Sequence, residues 1–297
     1  MTVDTANARR RTASSAAIGS GGARTGRFLG AALMVIFSLA TVLPLLLLII
    51  SALKTNGEII ANPLSLPTHP QWHNIADAWQ GGGFGAPLGR SFLNSVFVTF
   101  AGVVVVTGLA VFAGYGLGSH AIRGGRWISY LVLVLLAIPT QATLIPIFNL
   151  LDTTGTRNSF TAIILVYAAF WMPFSVMLMR AAFRSFPREI IEAARIDGAG
   201  SLATLFRIVL PVLRGPIIGV AIINAIGIWS ELLFSYVLLT DPDKRTLPAA
   251  LLAFKGAFVT DYRLLYAGLL ISVLPILIAY AAMSNLTRKG LSAGALK

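Results

Sequence analysis

Few side chains in this sequence are placed to do covalent chemistry. There is no cysteine, so no thiol nucleophile, disulfide or thiolate metal site can form. The three histidines, His69, His73 and His120, do not cluster and offer zinc little to bind. Of the acidic residues, Asp241, Asp243 and Asp261 lie near one another, but among basic residues and without a matched histidine. A membrane-embedded enzyme such as a lipid-linked glycosyltransferase would need such a constellation facing one side. A channel or secondary transporter would need coupling-ion carboxylates within its apolar runs, and only Glu231 qualifies. What remains is a set of polar and aromatic residues isolated in apolar surroundings: Gln141, Asn149, Trp171, Asn224, Trp229 and Glu231. Polar groups in such places are functional candidates by default.

The elements that must position them are membrane spans. Charged residues make up 11% of the chain, against about 25% in soluble domains. So little charge cannot cover a globule of 297 residues. A spanning helix needs about 20 apolar residues, and six runs qualify: residues 28–53, 91–118, 127–150, 159–180, 215–239 and 264–287. Gly114 and Gly118 form a small-xxx-small pair suited to close helix packing. Glu231 lies about sixteen residues into the fifth run, roughly 24 Å from its start at 1.5 Å per residue. It is expected either to be hydrogen-bonded structurally or to line the outer end of a path. Asn224, nearer the midplane, is a candidate for a central cavity.

The net charge of +12 would suggest nucleic acid on a soluble protein; here it reads as the positive-inside bias. Sixteen basic residues fall on one side: Arg9, Arg10, Arg11, Arg24, Arg27, Arg123, Arg126, Arg180, Arg184, Arg188, Arg195, Arg207, Arg214, Arg288, Lys289 and Lys297. The other seven are Lys54, Arg90, Arg157, Lys244, Arg245, Lys255 and Arg263. The first side is expected to be cytoplasmic, with both termini there. Residues 1–27 are rich in Ala, Ser, Gly and Arg without periodicity and are predicted to be disordered. The stretch GGARTGR (21–27) misses a phosphate-binding loop. Arg27 stands where Lys belongs, Phe28 where Ser or Thr belongs, and no strand precedes it. No ATP site of the chain's own is therefore expected, nor any cofactor or metal. The outer loop 54–90, with Trp72 and Trp79, is expected to lie on the membrane surface or to meet an external partner.

One stretch breaks the apolar pattern. Residues 185–216, SFPREIIEAARIDGAGSLATLFRIVLPVLRGP, form a charged segment between the fourth and fifth runs. Pro187 suits a first helical position and Glu189 the first turn. Asp197 and Gly198 should stop the helix near Ile196, with Gly198 left-handed. Ser201 can cap a second helix, 202–210, which Pro211 follows. Ile190, Ala193, Ala194 and Ile196 offer one apolar face; Leu205, Phe206, Ile208 and Val209 offer another. Ala193, Ala194, Gly198, Ala199 and Gly200 would let another backbone approach. The segment suits docking to another protein, the alternative being a loop without a partner. DNA reading is excluded by the lack of base-reading side chains beyond Arg207.

This stretch resembles the E-A-A-x-x-x-G loop of permease subunits in bacterial ATP-binding-cassette importers. The longer carbohydrate-importer form is met at Glu192, Ala193, Ala194, Ile196, Asp197, Gly198, Ala199, Phe206, Ile208, Leu210 and Pro211. WSELLFSYVLLT (229–240), RTLPAALLAFKG (245–256), YAGLLISVLPILI (266–278) and the tail GLSAGALK (290–297) resemble the second, G-type permease of maltose-type systems. The chain departs from that pattern at Ser230 and Leu232, where W-N-E-F/Y is usual. The resemblance implies a type I importer fold: an all-α integral membrane protein with six transmembrane helices (28–287), a cytoplasmic coupling helix within 185–214, and a cytoplasmic tail, 288–297. It implies that Glu192, Ala193, Ala194, Ile196, Asp197, Gly198, Ala199 and Phe206 seat in a cytosolic ATPase dimer, which would bind ATP and Mg. It further implies a second permease subunit and an extracytoplasmic sugar-binding protein. The solute implied is a disaccharide or short oligosaccharide, with glycerol phosphate or a polyol as alternative. Sugars are commonly held by aromatic faces with polar groups, which keeps Trp171 among the path candidates.

Overall fold

Apolar runs of this length can satisfy their backbone in lipid as helices, and helices are what they form. The computed structural model describes the backbone of residues 5–83, 87–118, 124–256 and 260–294, and side chains from residue 28 to residue 281 within those ranges. In chain order the helices are α1 (Thr5–Ala52), α2 (Asn56–Ala61), α3 (His73–Trp79), α4 (Leu88–Gly118), α5 (Gly125–Leu136), α6 (Leu144–Thr153) and α7 (Phe160–Arg184). They continue as α8 (Arg188–Ile196), α9 (Ser201–Thr204), α10 (Leu210–Val212), α11 (Arg214–Ser230), α12 (Leu233–Leu238), α13 (Leu247–Leu251) and α14 (Tyr262–Gly294).

Among the described residues, four helices are long and apolar enough to cross a membrane as single rods: Phe28–Ala52 of α1, α4, α7 and Tyr262–Ala281 of α14. Two more candidates are bent pairs, α5 with Thr140–Thr153 at 88° and Ser201–Val212 with α11 at 80°. Counting each pair as one span gives six. The 127–150 run is thus not one rod. Pro139 is extended (φ −66°, ψ 121°), and the chain turns there before the 3₁₀ turn Thr140–Thr143. The fifth run also ends early. α11 stops at Ser230, Glu231 is extended, and α12 restarts at Leu233. At the amino end α1 is helical back to Thr5, where disorder was expected. Alanine and arginine are strong helix formers, and this stretch holds Ala6, Ala8, Ala13, Ala16 and Ala17 with Arg9, Arg10 and Arg11. The side chains of 1–27 and of the tail 288–297 lie outside the described residues, as does all of 295–297.

α4 is the axis of the packing: it lies along α7 and α11, and α7 also touches α5. Without a hydrophobic drive between helices in lipid, close fit must hold them. Gly114 and Gly118 supply it. A Cβ on Gly114 would lie 2.6 Å from Met179 Cβ, and one on Gly118 would lie 2.7 Å from Phe183 Cβ. The two backbones therefore meet at Gly114–Gly118. α1, by contrast, packs on α14 and leaves Phe28, Phe37 and Met34 exposed, as expected for a lipid-facing helix.

The outer loop is folded onto the protein rather than only lying on lipid. Lys54 is fully buried and donates to the carbonyls of Asn62 (2.9 Å) and Pro63 (3.1 Å). Asn74 Nδ2 donates to the carbonyls of Ala52 and Lys54. Arg263 ties α14 to Asp77 in α3 and to Asp261. Trp79 packs on Phe92 with ring centres 5.7 Å apart, while Trp72 stays exposed. Glu58 closes a capping box with Thr55 and accepts from Thr68, and these bonds, Thr68's hydroxyl first, hold its carboxyl at about 2. A depressed carboxyl stabilises the fold fully above its ordinary value of 4.5, and that contribution fades as pH falls from there towards 2.

Gly114→Leu should force α4 and α7 apart. Overpacking a close contact costs about 1–3 kcal/mol, so the folded, detergent-stable fraction should fall several-fold while targeting to the membrane continues. Size-exclusion profiles of solubilised protein check this; an unchanged monodisperse yield would contradict the close approach.

Candidate functional site

The charged segment between α7 and α11 forms a bracket. α8 starts at Arg188 with Pro187 at the cap position, one residue earlier than its expected place inside the helix. Glu189 lies in the first turn and Arg195 in the last, both favourable for the helix dipole. Asp197 ends the helix, and Gly198 has φ +79°. Its amide donates to Arg195 O, and Ala199 N donates to Ala194 O, so the carbonyls of the last turn are used. Gly200, not Ser201, occupies the cap position of α9, and no side chain caps it.

The second helix does not stop before Pro211. A π-helical turn, Leu205–Val209, joins α9 to α10, and Leu210 N–H donates five residues back to Leu205 O. Proline at 211 has no N–H for Arg207 O, which explains the wide turn. The corner follows at Leu213, just before Pro216, whose missing N–H is tolerated in the first turn of α11.

The two faces separate cleanly. Leu205 and Val209 are fully buried, packed with Phe183, Phe186 and Leu213 at the end of α7. Ala194 is also buried. Tyr115 of α4 stacks edge-on against Phe183 at 5.5 Å. On the outer side, Ile196 is 86% exposed, Leu202 63%, Phe206 54% and Ile190 43%. Glu192, Ala193, Asp197 and Gly198 are also exposed, and Ala199 is half-buried. No atom lies within 4 Å of a Cβ built on Gly198, so the turn projects into open space. Exposed large apolar residues thus lie on one side of this charged loop, while the other side is packed into the core.

The six isolated residues of the spans divide differently. Asn224 is fully buried. It donates to Thr107 Oγ1 of α4 (3.3 Å) and accepts from Ser175 Oγ of α7 (2.9 Å), clasping three helices together. Glu231 accepts from Tyr167 Oη (2.6 Å) and from the backbone amides of Phe234 and Ser235, so it caps α12. Trp229 is buried against Phe92 and donates from its indole to Ser272 O at 3.0 Å, joining α11 to α14. These three hold the helices together inside this chain. Trp171 is half-buried, its indole lying over Gly227, where a Cβ would come within 2.0 Å of Nε1. Gln141 and Asn149 are exposed, both on the arm that follows the bend at Pro139. The spans do not bring the six into one site. The partners Thr107, Ser175 and Tyr167 were missed, because single hydroxyls in apolar runs carry no distinguishing signal. Among the described residues no group of three His, Asp or Glu could hold a metal.

The family described as the binding-protein-dependent transport system inner membrane component matches residues 107–290, and the chain belongs to it. It is 34% identical to the diacetylchitobiose uptake system permease protein NgcG of Streptomyces coelicolor, over 90% of this chain and 87% of that one. It is 29% identical to the melibiose/raffinose/stachyose import permease protein MelC of Bacillus subtilis, over 89% and 95%. A crystal structure of a bacterial ABC transporter involved in the import of the acidic polysaccharide alginate superposes with a TM-score of 0.75 at 23% identity, over 90% of this chain and 98% of that chain. At that identity the likeness carries the fold, the six-span type I permease architecture.

Asn224→Ala should weaken the three-helix clasp. Interhelical hydrogen bonds in membranes are worth about 0.6 kcal/mol on average and up to about 1.7, so a loss of about 1 kcal/mol is expected. A double-mutant cycle with Ser175→Ala, read by unfolding in mixed micelles, should show coupling between the two. A ligand role would instead shift the transport KM with stability unchanged.

Proposed function

We propose that this chain is half of the translocation path of an ATP-driven importer for a disaccharide or short oligosaccharide, and that the α8–α9 bracket couples it to a separate cytosolic ATPase. The observation that carries the coupling is the bracket itself: an exposed apolar edge (Ile196, Leu202, Phe206) on a charged loop whose other face is locked into the end of α7. Such an edge suits a socket, and Ala193, Gly198 and Ala199 let the socket's backbone come close. The coupling residues are Glu192, Ala193, Ala194, Ile196, Asp197, Gly198, Ala199 and Phe206. Ala194 acts from beneath, since it is buried. The chain itself is no enzyme; ATP and Mg belong to the ATPase.

The names of the relatives, diacetylchitobiose and melibiose/raffinose/stachyose permeases, favour an oligosaccharide over glycerol phosphate or a polyol. One bracket per chain implies a second permease subunit beside this one, and an extracytoplasmic binding protein delivers the sugar. Of the path candidates, Gln141, Asn149 and Trp171 keep surface that a solute could reach. The orientation puts the bracket and both termini in the cytoplasm, from the excess of basic residues on that side.

Gly198→Val tests the coupling. Space around the position is open, so the cost within this chain is the left-handed backbone alone, about 1–2 kcal/mol. Insertion should stay near normal. Transport in reconstituted vesicles should be lost, with the ATPase either dissociating or no longer answering to loaded binding protein. Wild-type transport by Gly198→Val would rule out the coupling role.

Orientation is tested by single cysteines, since the chain has none of its own. Cysteine at Ser201 should react with an impermeant maleimide only in inverted vesicles. Cysteine at Leu64, exposed in the outer loop, should react only in intact cells. The opposite pattern would reverse the assignment.

A further inference from the structure

At the bracket end of the molecule, the corner between α5 and the last turns of α7 holds charge that neither coupling nor the path employs. A cavity of about 700 Å³ opens there. Arg180 and Arg184, four residues apart on α7 and hence on one face, line it together with Arg126 from the first turn of α5. No aspartate or glutamate is among its described lining residues. Among the described residues, none of these three arginines forms an ion pair. Arg180 Nε is buried and has no hydrogen-bond partner. A buried donor on a charged group is costly to leave unsatisfied, and three guanidinium groups around one cavity repel each other unless an anion lies between them.

The rest of the wall suits that anion. α5 is 12 residues long and begins at Gly125; Gly124, at the cap position, has φ +81° and provides no side-chain cap. The amides of Trp127 and Ile128 donate to Gly124 O, which leaves those of Gly125 and Arg126 as donors for a ligand. Arg126 is held in place by a bond from Nε to Tyr130 Oη at 3.1 Å, with its guanidinium 5.5 Å from the Tyr130 ring centre. Trp127 and Tyr130 are paired edge-to-face and both exposed. Amphipathic rings of this kind sit at the headgroup level of a membrane. Leu133, one turn further along α5, also lines the cavity and is 45% exposed, which offers a surface for an acyl chain.

We propose that this corner binds a phosphate group at the membrane surface, held by Arg126, Arg180, Arg184 and the start of α5. Two sources share that chemistry: the headgroup of an anionic phospholipid and free inorganic phosphate. The apolar and aromatic wall favours the lipid. Bound there, the headgroup cross-links α5 to the end of α7, the helix on which the bracket is based. The proposal rests on membrane embedding and is independent of which solute is carried.

The test uses the whole transporter, purified in mild detergent and read by native mass spectrometry during separate titrations with phosphatidylglycerol, phosphatidylcholine and inorganic phosphate. Phosphatidylglycerol should remain as a discrete adduct that phosphatidylcholine does not displace. A basic residue at a membrane surface contributes enough that Arg180→Gln should weaken retention about fivefold, and Arg184→Gln by a similar factor. If millimolar inorganic phosphate binds with the same arginine dependence and phosphatidylglycerol does not, the phosphate chemistry stands and its source is the free ion. Equal retention of both lipids, or retention indifferent to Arg180→Gln and Arg184→Gln, overturns the site. Should either α7 variant fail to assemble, Arg126→Gln, on the exposed first turn of α5, decides: phosphatidylglycerol retention unchanged in that variant also overturns it.

Discussion

The close approach of α4 to α7 at Gly114 and Gly118 is the contact on which the rest of the molecule depends. Lipid is as apolar as the helices it surrounds, so burying leucine against leucine gains little there. What can hold two helices is dense dispersion contact and a few polar bonds, and both need short distances. With Cβ atoms absent at 114 and 118, the α4 backbone comes against Met179, Arg180 and Phe183. Ser175 lies one turn before Met179, and its hydroxyl reaches Asn224, which in turn reaches Thr107. Tyr115 meets Phe183 at the same level. A side chain at either glycine would push all of these beyond reach together.

That geometry changes what the polar residues of the spans are for. Asn224, Trp229 and Glu231 are the most conspicuous of them in the sequence, and each is used up within the chain. One clasps three helices, one ties α11 to α14, and one caps a helix restarted after a break. The alternative is an unsatisfied polar group in hydrocarbon, which costs several kcal/mol. The general rule that polar residues in spans are functional therefore needs a second condition, that they keep a free polar atom or exposed surface. Gln141, Asn149 and Trp171 meet it better than the three more obvious residues.

How much was legible follows from which signals were local. The six runs, the bracket, the left-handed Gly198 and the close pair Gly114–Gly118 could all be read, because each depends on residues within a few turns. The boundaries of α8 missed by one residue at Pro187, and the cap of α9 by one at Ser201, as local signals commonly do. The right-angled bend at Pro139 was not read. Proline is tolerated inside α1, α7 and α14 at Pro44, Pro173 and Pro275, so proline alone does not predict a break. What differs at 139 is that the flanking residues adopt a short 3₁₀ turn at Thr140–Thr143, a tertiary choice the sequence does not announce. The folding of the outer loop onto α14 was likewise hidden. A lysine that is fully buried yet satisfied by two carbonyls, as Lys54 is, depends on residues eight and nine positions away adopting one particular course.

Coupling on the proposed reading needs two opposite properties in one short segment. The inner face must be stiff, so that a displacement of the bracket becomes a displacement of α7. The outer face must be accommodating, so that another protein can seat on it. Leu205 and Val209, fully buried against Phe183 and Phe186, satisfy the first. The turn at Gly198, left-handed and open to solvent, satisfies the second. Leu205 and Val209 are the two ends of the π-helical turn, where Pro211 denies the backbone its regular bond. Leu205 and Val209 point inward, while Phe206 stays exposed at the edge of α4, its ring 6.1 Å from that of Phe112. Residues four apart share one face of a helix, so Leu205 and Val209 can both point inward while Phe206, the next residue along, points elsewhere. The two faces of this one segment thus serve the proposed socket outside and the seam between α4 and α7 inside.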